Sequence, residues 1–178
     1  MLILASEVKQ MSRFSNLSET DIERKLKKIE YAIRGYTHND FLSKEIRFYA
    51  EIENKNIIPF SSKLNPYLKV NDTVLIKNEY IRDLYTIKEI NDSGFTLKED
   101  FVDNIYNLII KVNYPFEVIE GALDVLEWDS TMRKKVGIKS ESLSRHSITY
   151  YDNDSNNTIN GYPVSLFGFL NPYKKVRT

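Results

Sequence analysis

The residues with the most chemical potential in this chain are few. His38 and His146 are its two histidines, far apart in the sequence. Neither has a partner at metal-ligand spacing, so both read as ordinary surface or turn residues. Ser140, Ser142 and Ser144 lead up to His146 and invite a nucleophile-and-base reading. Catalytic geometry is set in space rather than along the chain, and serines after a helix more often serve turns and caps. Glu117, Glu120, Asp124 and Glu127 recur at helical spacings of three and four. Such a row could hold a divalent ion, but its ordinary meaning is the solvated face opposite an apolar stripe. Glu99, Asp100 and Asp103 lack the glycine and closing glutamate of an EF-hand loop. There is no cysteine, which excludes disulfides and thiolate zinc sites. Phosphate-loop, dinucleotide and nucleophile-elbow motifs are all missing from the sequence. The expectation is a protein that is not an enzyme, with no catalytic residue, no metal ligand and no cofactor.

Two basic clusters remain, Arg133, Lys134, Lys135 with Lys139, and Lys174, Lys175 with Arg177. Lysine plus arginine balances aspartate plus glutamate, 25 against 25. A protein whose main work is wrapping nucleic acid usually carries a basic excess, so the first cluster is at most a contact for passing DNA without sequence specificity. Apolar residues make up 42% of the 178 residues and charged residues 28%, enough for a packed core under a well-solvated surface. The apolar run Met1–Ala5 is shorter than the roughly 7–15 residues of a signal-peptide core. No stretch approaches the about 20 apolar residues that span a bilayer, so no membrane partner is expected. Twelve tyrosines and nine phenylalanines suit strand packing and also protein–protein contact.

These residues must be positioned by two kinds of element. Ser6 begins a short helix to about Met11. Ser18 with Asp21 three residues on resembles a capping box. Ile22, Leu26, Ile29 and Ile33 then form one stripe at spacings of four, three and four, which predicts a helix over 18–34 with Gly35 as its cap. From Phe41 to Val112 the pattern changes to strand-length runs, at 46–52, 57–60, 73–76, 84–90, 95–97 and 108–112, split by turn residues such as Asn91–Gly94. Helix returns after Tyr114–Pro115, with Val118, Ala122, Val125, Trp128 and Met132 as its buried stripe and Gly137 as its stop. Ser147–Tyr151 has strand character, and Asp152–Asn160 is a polar loop.

The tail is apolar and aromatic, with Gly168 and two prolines limiting helix. Val164, Leu166, Phe167, Phe169 and Tyr173 need a surface, either their own core or another subunit, and the expectation is docking on a partner. The predicted fold is α+β, a small helical bundle interrupted by an inserted small β-barrel or sandwich, with an extended C-terminal tail. Residues 1–35 and 113–150 form the discontinuous helical domain with its terminal strand. Residues 36–112 form the inserted β domain, and 151–178 the C-terminal extension for partner docking.

One stretch carries a resemblance. A helix entered by Tyr114–Pro115 and ending near Gly137 is followed by Lys139-Ser140-Glu141-Ser142 and then by Ser147-Ile148-Thr149-Tyr150. This order, with the helices of about 6–34, resembles the head–tail connector family of tailed bacteriophages, also called adaptor or head-completion proteins. The resemblance covers about half of the chain. It implies a virion structural protein, made in the host bacterial cytoplasm and placed at the head–tail interface. It implies a ring of twelve neighbouring copies docked under the portal protein, extending the DNA channel and presenting a surface to a downstream neck or tail-completion protein. The interruption at 36–112 and the long tail depart from the family pattern. The alternative is a small β-barrel interaction module of a cellular complex, and a hydrolase with an unrecognised site is a third reading.

Overall fold

The computed structural model describes residues 2–61, 63–102, 104–133, 140–143, 146–149 and 158–176. The chain divides into two units, Asp40–Tyr114 on one hand and Leu2–Asn39 with Pro115–Thr178 on the other. The fold is α+β, with six strands closed into a barrel.

The barrel consists of β1 (Leu42–Glu53), β2 (Asn56–Pro59), β3 (Thr73–Lys77), β4 (Arg82–Ile90), β5 (Phe95–Leu97) and β6 (Asn104–Val112). The strands close in the order β1-β2-β5-β4-β3-β6. Closure leaves no strand edge open, which removes the template for edge-to-edge aggregation. The long strand β1 pairs with β2 through Ile52–Ile57 and, on its other side, with β6 through Phe48–Ile109. Alternation puts Ala50, Ile52, Ile57, Val74, Ile76, Ile87, Phe95 and Ile109 in the core. A buried asparagine, Asn107, stands among them; its amide donates to the Asn104 carbonyl at 2.8 Å, and its side-chain oxygen accepts from Asn78 at 3.0 Å. The chain enters and leaves the barrel side by side, since Leu42 pairs with Val112 and Asn113 N–H donates to the Phe41 carbonyl at 2.8 Å.

The turn between β4 and β5 shows why its residues are what they are. The Asn91 side chain accepts from the N–H groups of Ser93 at 3.0 Å and Gly94 at 2.8 Å. Gly94 lies against the carbonyl of Ile57, where a Cβ would collide with backbone that cannot move aside.

The helical unit is built from α1 (Ala5–Gln10), α2 (Glu19–Thr37) and α3 (Phe116–Thr131). Ser18 caps α2 by accepting from Asp21 N–H at 3.1 Å. Ile22, Leu26, Ile29 and Ile33 are all fully buried along one stripe. The helix runs past Gly35, which corrects the expected stop; His38, in the left-handed conformation at φ 51°, is the terminating residue. Gly35 is exposed with open space around it, so it imposes no turn. In α3, Val118, Ala122, Leu123, Val125 and Leu126 are buried. Met132 lies past the helix end and is exposed, so it drops out of the expected stripe.

Two short hairpins follow. β7 (Ser140–Leu143) pairs with β8 (His146–Thr149), and β9 (Thr158–Ile159) with β10 (Tyr162–Pro163). A 3-10 helix over Val164–Tyr173 ends the described chain, with Pro172 inside it. Two prolines and a glycine therefore limit the α-helix here without preventing the tighter helix.

Candidate docking surface of the helical unit

The C-terminal segment is seated on α2 and α3 of its own unit, so Phe167 and its neighbours have a surface within the chain. Phe167 and Leu170 are fully buried in their own unit. The Phe167 ring packs against Tyr36 at 5.7 Å and Tyr162 at 6.1 Å. Phe169 fills the space left by Gly121 in the middle of α3, where a Cβ would lie 2.5 Å from its ring. Tyr173 donates its hydroxyl to Glu117 at 3.1 Å and accepts at its carbonyl from Asn39 at 3.1 Å. Beyond it, Lys175 N–H donates to the Thr37 carbonyl at 2.8 Å, and the Lys174 ammonium sits 3.8 Å above the Tyr36 ring. Val164, Leu166, Phe169 and Tyr173 are half-buried. Burying a large apolar side chain contributes roughly 1.5–3 kcal/mol, so these rings are satisfied within the chain itself.

At the base of the segment lies a cluster that the sequence reading did not single out. Asp129 is only 5% exposed and accepts hydrogen bonds from both Lys25 and Arg133. Burial alone would raise its carboxyl, but those two cations outweigh it and hold it below the usual carboxylate range. Arg133 also lies 4.6 Å from the centre of the Tyr162 ring and 5.8 Å from that of Trp128. Tyr162 is fully buried, and its hydroxyl and Arg133 Nη2 make no hydrogen bond of regular geometry. Burial pushes the Tyr162 hydroxyl up to about 12, with the Asp129 charge adding to the effect. Lys28 lies 5.0 Å from the centre of the same ring; burial and then the Arg133 charge lower its ammonium. The cluster ties α2, α3 and the start of the C-terminal segment together.

Arg133 is ion-paired with Asp129, while Lys134, Lys135 and Lys139 lie outside the described residues. Three of the four residues in the acidic row of α3 have partners within the unit. Asp124 and Glu127 both pair with Arg13, at 3.1 and 3.0 Å, and Glu117 holds Tyr173. Asp100 pairs with Lys55 at 2.8 Å, and Glu99 accepts from Thr86 N–H at 2.9 Å; Asp103 lies outside the described residues. Among the described residues, no group of three or more such side chains is placed to hold a metal ion, and no helix is long and apolar enough to cross a membrane. The signals for the missed residues were present but faint. Asp129 and Arg133 stand at the i,i+4 spacing of a helical ion pair, and Gly121 is a glycine in a helix interior, where it weakens the helix unless something needs the space.

The barrel unit offers two features of its own. Tyr49, Phe60 and Tyr106 are all exposed on its outer face, with the Phe60 and Tyr106 rings 6.0 Å apart. A shallow cavity of about 310 Å³ is lined by Ile52, Lys88, Thr96, Lys98 and Phe101, among others. No family model matches the chain, and no curated protein matches it.

Proposed function

We propose that the protein is a structural subunit of a phage head–tail connector ring. It docks under the portal protein, extends the DNA channel and presents a surface to a neck or tail-completion protein. The order of elements carries this reading. A helix entered by Tyr114–Pro115 runs over Phe116–Thr131, and the hairpin Ser140–Leu143 with His146–Thr149 follows it. That is the stretch whose sequence resembles connector proteins. The pairing of the carboxylates of α3 with Arg13 and Tyr173 also suits a part whose charges hold structure together.

On this reading the neighbours are other copies in a ring of twelve, and the location is the virion at the head–tail interface. Exposed apolar side chains on the helical unit, Tyr31 and Phe116, are available for contacts between copies. The basic residues Arg133, Lys134, Lys135 and Lys139 face passing DNA only if they point into the channel. With Arg133 engaged by Asp129, that role falls to the three lysines.

The test is attachment. Purified protein mixed with portal-bearing heads should co-sediment with them at a fixed stoichiometry and leave heads without portal unbound. Equal recovery with both kinds of head, or with neither, would sink the proposal. A second reading, a small β-barrel interaction module of a cellular complex, is favoured by the exposed Tyr49, Phe60 and Tyr106. Aromatic side chains of this kind are enriched where proteins meet. Mutating these three to serine would abolish partner binding under that reading.

A further inference from the structure

The C-terminal segment has three features that bear on how it is held. Its helix is of the 3-10 type over ten residues, Val164–Tyr173, with a proline inside. Such helices have poor hydrogen-bond geometry and seldom exceed three or four residues, so this one relies on packing against α2 and α3 and on the anchoring bonds of Tyr173 and Lys175. The segment also follows all three helices of the unit in chain order. Residues 132–157 separate it from α3, and near its start Tyr162 lies against Arg133, so the segment begins close to where α3 ends. Undocking the segment therefore interrupts none of α1, α2 and α3. Finally, the seat is shaped for it. Gly121, unfavourable inside a helix by about 1 kcal/mol relative to alanine, leaves room for the Phe169 ring.

We propose that the segment Thr158–Val176 is a releasable strap, docked on α2 and α3 in the free chain and surrendered when the chain joins its partner. This rests on the connector reading, in which the same aromatic residues engage the portal. Phe167 is buried and Phe169 and Tyr173 are half-buried in the free protein, so the docked state competes with attachment and guards against premature association. A binding-competent form of small population weakens apparent affinity by that population.

Gly121→Leu tests this directly. Leucine is a good helix former, so α3 is retained, while its side chain takes the place of the Phe169 ring. The full-length variant is read by limited proteolysis of the segment and by titration onto portal-bearing heads. The expected result is cleavage confined to the segment, with circular dichroism unchanged elsewhere, and attachment at least about ten-fold tighter than wild type. Attachment equal to or weaker than wild type, with the segment cleaved, overturns the proposal. Unchanged protease resistance also overturns it, because the segment is then not releasable. Loss of the helical signal points to a structural part and overturns it as well. If neither wild type nor variant attaches while the variant's segment is cleaved, the connector reading fails and the release itself stands.

Discussion

Asp129 holds two cations at once, and its removal leaves both without their partner. Breaking a buried pair by deleting one member costs about 3–5 kcal/mol. Lys25 and Arg133 keep partial access to water, with side chains 19% and 33% exposed, so the lower end applies. Asp129→Ala should therefore lower stability by about 3 kcal/mol, measured by urea denaturation at neutral pH. The pH dependence follows from the direction of its shift. The folded carboxyl lies below its unfolded value of about 3.9, so its contribution is present above that pH and is lost as pH falls through the folded value. Tyr162 behaves in the opposite sense. Its folded value of about 12 lies above the unfolded value of about 10, so its contribution is full below pH ~10 and is lost as pH rises towards 12. Tyr162→Phe removes a buried hydroxyl that has no regular hydrogen bond. It should leave the melting temperature at pH 7 unchanged or higher, and it should flatten the loss of stability between about pH 10 and 12. A large drop at pH 7 would show that the hydroxyl is well bonded. At this scale the sequence was least legible. Asp129 belongs to the same helix as four other carboxylates, and only the fold shows that it faces inward to Lys25 while Asp124 faces outward to Arg13.

The elements were more legible, because period and turn chemistry act locally. The stripe Ile22, Leu26, Ile29, Ile33 and the cap Ser18 correspond to α2, and the six strand-length runs correspond to β1–β6 within a few residues at each end. Two failures have physical causes. Gly35 stopped nothing, since glycine ends a helix only where the backbone must turn left-handed, and that turn is made by His38. The tail was read as non-helical because prolines and glycine oppose an α-helix. The 3-10 helix that forms instead is held by Phe167 and Leu170, whose burial no local pattern encodes. Gly94 is the glycine on which the barrel depends at the level of an element. A methyl group there meets the backbone of Ile57, so Gly94→Ala should cost about 1–3 kcal/mol, the range of overpacked sites. A thermal melt checks this, and a variant as stable as wild type would show that β2 can shift outward freely.

For the molecule as a whole, the defining feature is that one unit is interrupted by the other in sequence. The chain goes into and out of the barrel through paired backbone at Leu42 and Val112, so a short Gly/Ser linker replacing residues 40–114 should bridge the gap. Loop entropy rises slowly with length, and the helical unit should tolerate the change. Retained helical circular dichroism with a cooperative melt is expected, whereas aggregation without helical signal would contradict it. The helix-then-strand-then-helix order was visible from apolar periodicity and turn residues. Closure of the six strands into a barrel was not, because long-range pairing such as β1 with β6 leaves no local trace and a sandwich has the same alternation. The role proposed for this chain is that of a ring subunit beneath a portal. It is tested most directly by electron cryo-microscopy of purified portal after incubation with the protein. A coaxial ring of copies on the portal's tail-side face, with the helical unit at the contact, is the result predicted. Bare portal at saturating protein, with the protein remaining monomeric in solution, would contradict it.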